Sequence, residues 1–476
     1  MLFNSYQFLL FFPVVVLLYF ALPKKVKNYM LLVASYIFYM GWNPWYAFLL
    51  LSCTVVTFGA SLIIEKKKFN PKLIVAFSVI IILGMLFYFK YLNFSANFFN
   101  NVMSKLKLSA RINIHDILLP VGISFFSFQS IGYLIDVYRG DIKAEHNFFK
   151  YALFVSFFPQ LVAGPIERSK NLLAQLDKTY SFDFDRAKDG LFTMLWGYVL
   201  KMVIADRAAI FVDKVYASWS SYTGGQLAVA TFFFAIQIYC DFAGYSLIAM
   251  GAAKVLGINL MKNFDSPYLS SSVKEFWRRW HISLSTWFRD YLYIPLGGGY
   301  TNVWRKRFNI LIVMLVSGIW HGAGFSFIAW GLLHGLYQIF DDIVKPIRKY
   351  IPKFFQILLT FFAVYFAWIF FRANSFRESL FIIKKIFTDF NILSIFGDTS
   401  KLYGLDLPNI HLLLLSLLLL LAVDFSSYKE RFIKNWILTH EWYLQVLTFV
   451  MGVIFVAIFG IYGNAYDASS FIYFQF

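Results

Sequence analysis

The sequence predicts an all-α protein that threads a membrane many times, and three observations carry that prediction. Of 476 residues, 59% are hydrophobic and only 14% are charged, against about 25% charged in an ordinary soluble domain. Aromatic side chains make up 21%, with 58 phenylalanines, more than one globular core encloses. The apolar residues also come in blocks long enough to cross a bilayer, which takes about 20 residues for about 30 Å of hydrocarbon. Backbone groups in lipid must be satisfied within their own segment, so such blocks are helices.

Twelve stretches qualify as spans: roughly 7–22, 28–42, 45–64, 72–92, 116–136, 148–163, 190–205, 226–252, 308–340, 354–372, 410–426 and 444–463. We expect about ten to twelve crossings, with some segments short, broken, re-entrant or interfacial, in one integral-membrane domain over 1–476. The first span has no basic residue before it, and Lys24, Lys25 and Lys27 follow it. A cleaved signal has its basic residues first, so this reads as a retained span with the N-terminus outside. The 22–28 loop holds three lysines, the 41–45 loop none, and Lys66, Lys67 and Lys68 follow the third span. Lysine and arginine mark cytoplasmic loops, so these loops alternate inside, outside, inside. Beyond residue 93 the pattern blurs: 93–115 is external by parity yet carries Lys105, Lys107 and Arg111.

The net charge of +17 does not imply nucleic acid, because the cations fall in short clusters between apolar runs, as in the loops of a polytopic protein. Cys53 and Cys240, the two cysteines, sit among apolar residues and read as packing residues. The 308–340 run is too long for one crossing: a continuous helix there would measure about 50 Å. Both its flanks are basic, with Arg305, Lys306 and Arg307 before it and Lys345, Arg348 and Lys349 after. Either the segment is steeply tilted or it breaks near His321-Gly322-Ala323-Gly324 and returns to the same side. Irregular backbone at membrane depth survives only beside protein or a water-filled cavity, so both readings put His321 next to a cavity. Gly322 and Gly324 equally suit simple close helix packing.

An ionisable ring in a membrane interior is a functional-site hypothesis by default. Two stand out, His281 in FWRRWHISLSTWFRDYLYIPLGG and His321 in VSGIWHGAGFSFIAWGLLHG. A desolvated, neutral imidazole can take the proton of an attacking hydroxyl at neutral pH, or can itself accept an acyl group. On one helix His334 would stand about 20 Å from His321 and on another face, which makes it structural. No His/Cys spacing supports a metal. Around His281, the cations Arg278, Arg279 and Arg289 alternate with Trp277, Trp280, Trp287 and Tyr291. This suits an interfacial headgroup anchor. Gln129, Asp136, Asp241 and Tyr245 lie in or at the ends of apolar stretches and form, with Trp320, a candidate polar network around the cavity, with Arg139 or Arg279 as partners for the acids; direct substrate contact is the alternative. Lys201 reads as a side chain that snorkels to an interface.

Several blocks together resemble the membrane-bound O-acyltransferases, and within them the bacterial alginate and peptidoglycan O-acetylation proteins. They are GISFFSFQSIGYLIDVYRG (122–140), LVAGPIER (161–168), YCDFAGYSLIAMG (239–251), NFDSPY (263–268), EFWRRWHISLSTWFRDYLYIPLGG (275–298), SGIWHGAGFSFIAWG (317–331) and FFRAN (370–374). The motif-bearing core covers about 116–374. The chain departs from the pattern at Leu247, where many members carry an acidic residue.

The resemblance implies a polytopic helical fold with a central tunnel and His321 as principal catalytic histidine. His281 falls at the second active-site position; whether it orients, protonates or polarises stays open. Acetyl-CoA is the implied donor, with no tightly bound cofactor. With that donor, a grip on its phosphates by one or more of Arg278, Arg279 and Arg289 is the alternative to the headgroup anchor. An exported glycan is the implied acceptor, and an extracytoplasmic transferase the implied partner protein. The implied location is the bacterial inner membrane, among its lipids. Lys-, Asn-, Ile- and Phe-rich usage tilts the glycan toward peptidoglycan over alginate. The alternatives are D-alanyl or other acyl transfer to an envelope polymer, and a non-enzymatic transporter of lipid-linked glycan.

Overall fold

The computed structural model describes residues 1–115, 117–391, 393–396 and 404–462. The outer limits of two expected spans, residues 116 and 463, lie outside them. Among the described residues every regular element is helical, and they cluster into two compact units.

The first unit is Met1–Gly190 with Ala252–Met261. It holds α1 (Tyr6–Ala21), α2 (Lys24–Met40), α3 (Tyr46–Glu65), α4 (Pro71–Lys90), α5 (Leu92–Lys105), α6 (Ile123–Arg139), α7 (Phe148–Ser156), α8 (Phe158–Leu161) and α9 (Ser169–Leu176). The Met1 ammonium donates to the Phe38 carbonyl at 2.7 Å. The N-terminus therefore shares an end with the uncharged 41–45 loop, opposite the lysines between α1 and α2. The expected 148–163 span is interrupted: Phe157 leaves helical geometry and Pro159 opens the short α8.

The second unit is Leu191–Gly251 with Lys262 onward. Helix α10 (Phe184–Tyr198) leads into it and passes through a π-helical segment, Val199–Ala205, into α11 (Asp206–Ala217). Then follow α12 (Gly224–Val255), α13 (Val273–Arg279), α14 (Ile282–Phe288), α15 (Val303–His321), α16 (Phe325–Arg348), α17 (Lys353–Arg372), α18 (Phe376–Thr388), α19 (Leu407–Tyr428), α20 (Ile433–Leu438) and α21 (Trp442–Phe459).

The 308–340 run breaks rather than tilts. Helix α15 ends at His321, and α16 starts at Phe325. Between them Gly322 and Gly324 adopt extended backbone, φ −163° and −169°. The two helices pack antiparallel through Gly318 and Gly331: a Cβ on Gly331 would stand 3.2 Å from Gly318 Cα and would meet the Met314 carbonyl. Close packing is thus the work of these two glycines, while Gly322 lies under the Phe327 ring. His321 sits at the hairpin tip and both basic flanks lie at the other end, about 27 Å away by helical rise.

Among the described residues six helices are long and apolar enough to span a membrane: α3, α4, α12, α17, α19 and α21, with α1 a shorter apolar helix. The other expected spans form helices that are shorter or more polar. The molecule is a multi-pass helical membrane protein.

Candidate active site

His281 is positioned by a turn that sequence periodicity does not reveal. Helix α13 opens on Ser272, whose side chain caps the Glu275 amide at 3.0 Å. After α13 the chain reverses at His281, which takes left-handed φ 44°, ψ 54° before α14 begins. A non-glycine residue there is strained by about 1–3 kcal/mol and persists only where its surroundings hold it. Asn263 supplies that hold: its carbonyl accepts the Ile282 amide at 2.9 Å, and its side chain reaches the ring.

That contact fixes the protonation pattern of His281. Asn263 Oδ1 accepts the Ser283 amide at 3.3 Å and the Ser283 hydroxyl at 2.8 Å. A backbone N–H only donates, so the atom facing it is the amide oxygen. Asn263 Nδ2 in turn donates to Ser246 Oγ at 3.1 Å. His281 Nδ1, 3.1 Å from the same oxygen, must therefore carry the ring proton, leaving Nε2 with its lone pair. His281 lies outside the six spans and is fully buried, and burial pushes its pKa down to about 3. It is a neutral base with a defined tautomer.

His321, 4% exposed, is enclosed by rings. Trp320 lies 4.9 Å from it, Trp330 5.0 Å and Phe371 5.3 Å, all edge-on. Trp320 also meets His281, at 6.0 Å. One tryptophan thus stands between the two histidines that the sequence singled out.

The hairpin corrects the placement of His334. It is not a helix length away, because the chain folds back after His321. Its ring lies 4.9 Å from Trp330, the same indole that His321 touches.

The remaining predicted residues divide between the units. Gln129 and Asp136 belong to the first. Gln129 donates to the Phe154 carbonyl at 2.6 Å and accepts from Gln160 at 3.1 Å, while Asp136 accepts the Ser169 hydroxyl at 2.5 Å. Asp241 and Tyr245 belong to the second. Asp241 pairs at 2.6 Å with Lys201, which also meets Asp206 at 2.8 Å. Lys201 therefore does not snorkel: it is 2% exposed, and its charge is held between two carboxylates. Close approach of the π-helical segment to α12 makes this possible, since a Cβ on Gly244 would sit 2.9 Å from the Lys201 amide. Arg279 pairs with Glu275 at 3.0 Å and Asp265 at 3.4 Å, and covers the Tyr428 ring at 4.9 Å. Its cation is matched internally rather than by Asp241. Arg278 and Arg289 are exposed, Arg289 beside Asp290 at 2.7 Å.

A multi-span helical membrane protein with two buried, ring-enclosed histidines in one unit is the class that this geometry defines. Comparison with known proteins makes it specific. The profile of the membrane-bound O-acyltransferase family matches residues 141–383. The chain is 39% identical over 383 residues to the Probable alginate O-acetylase AlgI of Pseudomonas aeruginosa, covering 79% of this chain and 72% of that protein. It is 34% identical over 422 residues to the Peptidoglycan O-acetyltransferase of Helicobacter pylori, covering 81% and 79%. A Teichoic acid D-alanyltransferase of Bacillus subtilis matches at 27% over 283 residues, 56% of this chain and 71% of that one. The chain belongs to the membrane-bound O-acyltransferase family, and it is an O-acyltransferase.

Sequence reading missed Asn263, although NFDSPY lay in a quoted block. No periodicity ties a loop residue to a histidine 18 positions later.

Proposed function

We propose that this protein moves an acetyl group from cytoplasmic acetyl-CoA across the bacterial inner membrane, for O-acetylation of an exported glycan such as peptidoglycan or an alginate-like polymer. The observation that carries this is the pairing of His281 and His321 around Trp320 inside an apolar shell. His321 acts as the base: it takes the proton of the acceptor hydroxyl as that oxygen attacks the thioester carbonyl. The C–S bond then breaks, and the departing thiolate takes the proton from the imidazolium. Direct attack by His321, giving an acyl-histidine that the hydroxyl resolves, uses the same atoms in two steps. His281, neutral with Nε2 as acceptor, orients the hydroxyl.

Exposed Arg278 and Arg289 contact the donor's phosphates, while Arg279 is committed to its carboxylates. Asp241, Tyr245 and Trp320 hold helices of the unit that carries both histidines, and Gln129 and Asp136 hold helices of the other unit. An extracytoplasmic transferase completes delivery to the sugar. The N-terminus faces outside, by the charge pattern of the first loops.

The test uses purified protein in nanodiscs with radiolabelled acetyl-CoA, comparing wild type with His321→Ala and His281→Ala. Loss of coenzyme A release in His321→Ala, with expression and elution profile retained, is the expected result. Unchanged release in that variant would sink the assignment. The D-alanyl-transferring relative, at 27% identity, keeps a second donor in view: turnover with a D-alanyl thioester and none with acetyl-CoA would favour it.

A further inference from the structure

Two buried donors in adjacent rings, one of which packs against His321, have no role in the reaction as described. His334 and Trp330 are both 0% exposed. Trp277 Nε1 donates to His334 Nδ1 at 3.2 Å. An indole N–H only donates, so His334 Nδ1 accepts and its ring proton sits on Nε2. This is the opposite tautomer to that of His281. Neither His334 Nε2 nor Trp330 Nε1 has an acceptor within hydrogen-bond distance among the described residues. The two rings lie 4.9 Å apart, and Trp330 lies 5.0 Å from His321. Unmade hydrogen bonds of buried donors are costly, and two in adjacent rings call for a specific occupant.

We propose that His334 Nε2–H and Trp330 Nε1–H form a donor pair that binds the carbonyl oxygen of the acyl group being transferred. The occupant follows from the chemistry of the shell. A carbonyl oxygen carries lone pairs and no hydrogens, so two N–H donors and an apolar wall satisfy it. A water needs two to four polar partners and must place its own hydrogens. Here the rings of Phe276, Trp368 and Phe371 lie 6.1 Å from His334 and 5.9 and 5.2 Å from Trp330 respectively, and the acceptor beside Trp330 is His321, the base that the attacking hydroxyl engages. As the tetrahedral intermediate forms, charge develops on that oxygen, and fixed donors in a dry site stabilise it more than they stabilise the ground state. The proposal rests on the acyl-transfer reading with His321 as base. It assigns to a second histidine a task that its tautomer suits and that of His281 does not.

The test needs a readout besides turnover. A ketone analogue of acetyl-CoA, with a methylene between sulfur and a 13C-labelled carbonyl, binds without transferring its acyl group. Isotope-edited infrared difference spectra in nanodiscs then report hydrogen bonding to that carbonyl. We expect the band to lie lower in wild type than in the free analogue. It should return toward the free position in Trp330→Phe and His334→Phe, which keep an aromatic ring and lose the donor. Turnover in these variants should fall about 10²–10³-fold, as for loss of one oxyanion donor, at nearly unchanged KM for the donor. If His334→Phe does not fold, Trp330→Phe carries the test, because it leaves the Trp277–His334 bond in place. A wild-type band that matches the free analogue, or one unmoved by folded Trp330→Phe, overturns the donor pair. His321→Ala should keep the shifted band while losing turnover. Retained turnover in that variant would remove His321 as base and leave the donor pair standing.

Discussion

At the scale of single residues, protonation is set by neighbours that can hydrogen-bond in one sense only. The Ser283 amide orients Asn263, and Asn263 places the proton on His281 Nδ1. Asn263→Ala should therefore reduce turnover about tenfold or more, the equivalent of one lost hydrogen bond of about 1.4 kcal/mol, with little change in KM. Asn263→Asp should act differently. A carboxylate beside the ring favours the imidazolium, so the pKa of His281 rises from about 3. The acid limb of the pH–rate profile should then move to higher pH, and a profile identical to wild type would count against Asn263 as the positioning residue.

Glu167, in the loop before α9, gives a second pH effect. Burial raises its carboxyl to about 7, although the Met261 amide and Asn171 donate to it. The folded protein thus holds a proton that the unfolded chain releases near 4.5, so stability falls as pH rises from about 4.5 to about 7. Glu167→Gln should flatten that slope, read as the wild-type-minus-variant difference in fluorescence-detected unfolding temperature between pH 5 and 8.

At the scale of elements, the hairpin is held by backbone contacts that leave no room for side chains. Gly318→Ala and Gly331→Ala would drive a methyl into the Phe327 and Met314 carbonyls, which cannot swing aside. Each should cost about 1–3 kcal/mol and lower the yield of folded protein. Gly324→Ala meets nothing nearer than 3.5 Å and should be tolerated; size-exclusion profiles of the three variants decide this. The Lys201 cluster invites a comparable comparison. Lys201→Met leaves Asp206 and Asp241 buried without the cation between them, a loss of about 3–5 kcal/mol. Adding Asp206→Asn and Asp241→Asn should restore much of it.

Much of this scale was legible in the sequence. The apolar blocks located the helices, and the overlong 308–340 run with basic ends left two readings, a steep tilt or a break near His321, of which the structure shows the break. What stayed hidden was whatever depends on a helix breaking or a partner far along the chain. His334 looks remote when one helix is taken to run from His321 through it, across what is in fact the turn, and Lys201 looks interfacial because its carboxylate Asp241 lies 40 residues away in sequence. Periodicity reports which face of a helix is apolar, not which residue waits across from it.

At the scale of the whole molecule, charge asymmetry predicts sidedness. Both flanks of the hairpin are basic and lie at one end, so both should be cytoplasmic. The natural cysteines Cys53 and Cys240 are buried, which gives a quiet background for labelling. In intact cells, a membrane-impermeant maleimide should leave Thr301→Cys and Lys349→Cys unlabelled and should label Asn43→Cys. Labelling of the first two from outside would reverse the orientation. The family and the helical fold were legible at this scale because long motif blocks stand in order along the chain. The division into two compact units was not, since α10 and α12 run on without any composition break.

The ring shell around the histidines has a photophysical consequence. Trp277, Trp330, Trp368 and Trp280 form a chain of contacts with centroids 5.7, 5.9 and 5.1 Å apart. Excitation absorbed at one of these indoles is within easy hopping range of the next, so a quencher arriving at Trp330 darkens all four. Tryptophan emission of the purified protein is therefore a label-free readout of occupancy at Trp330.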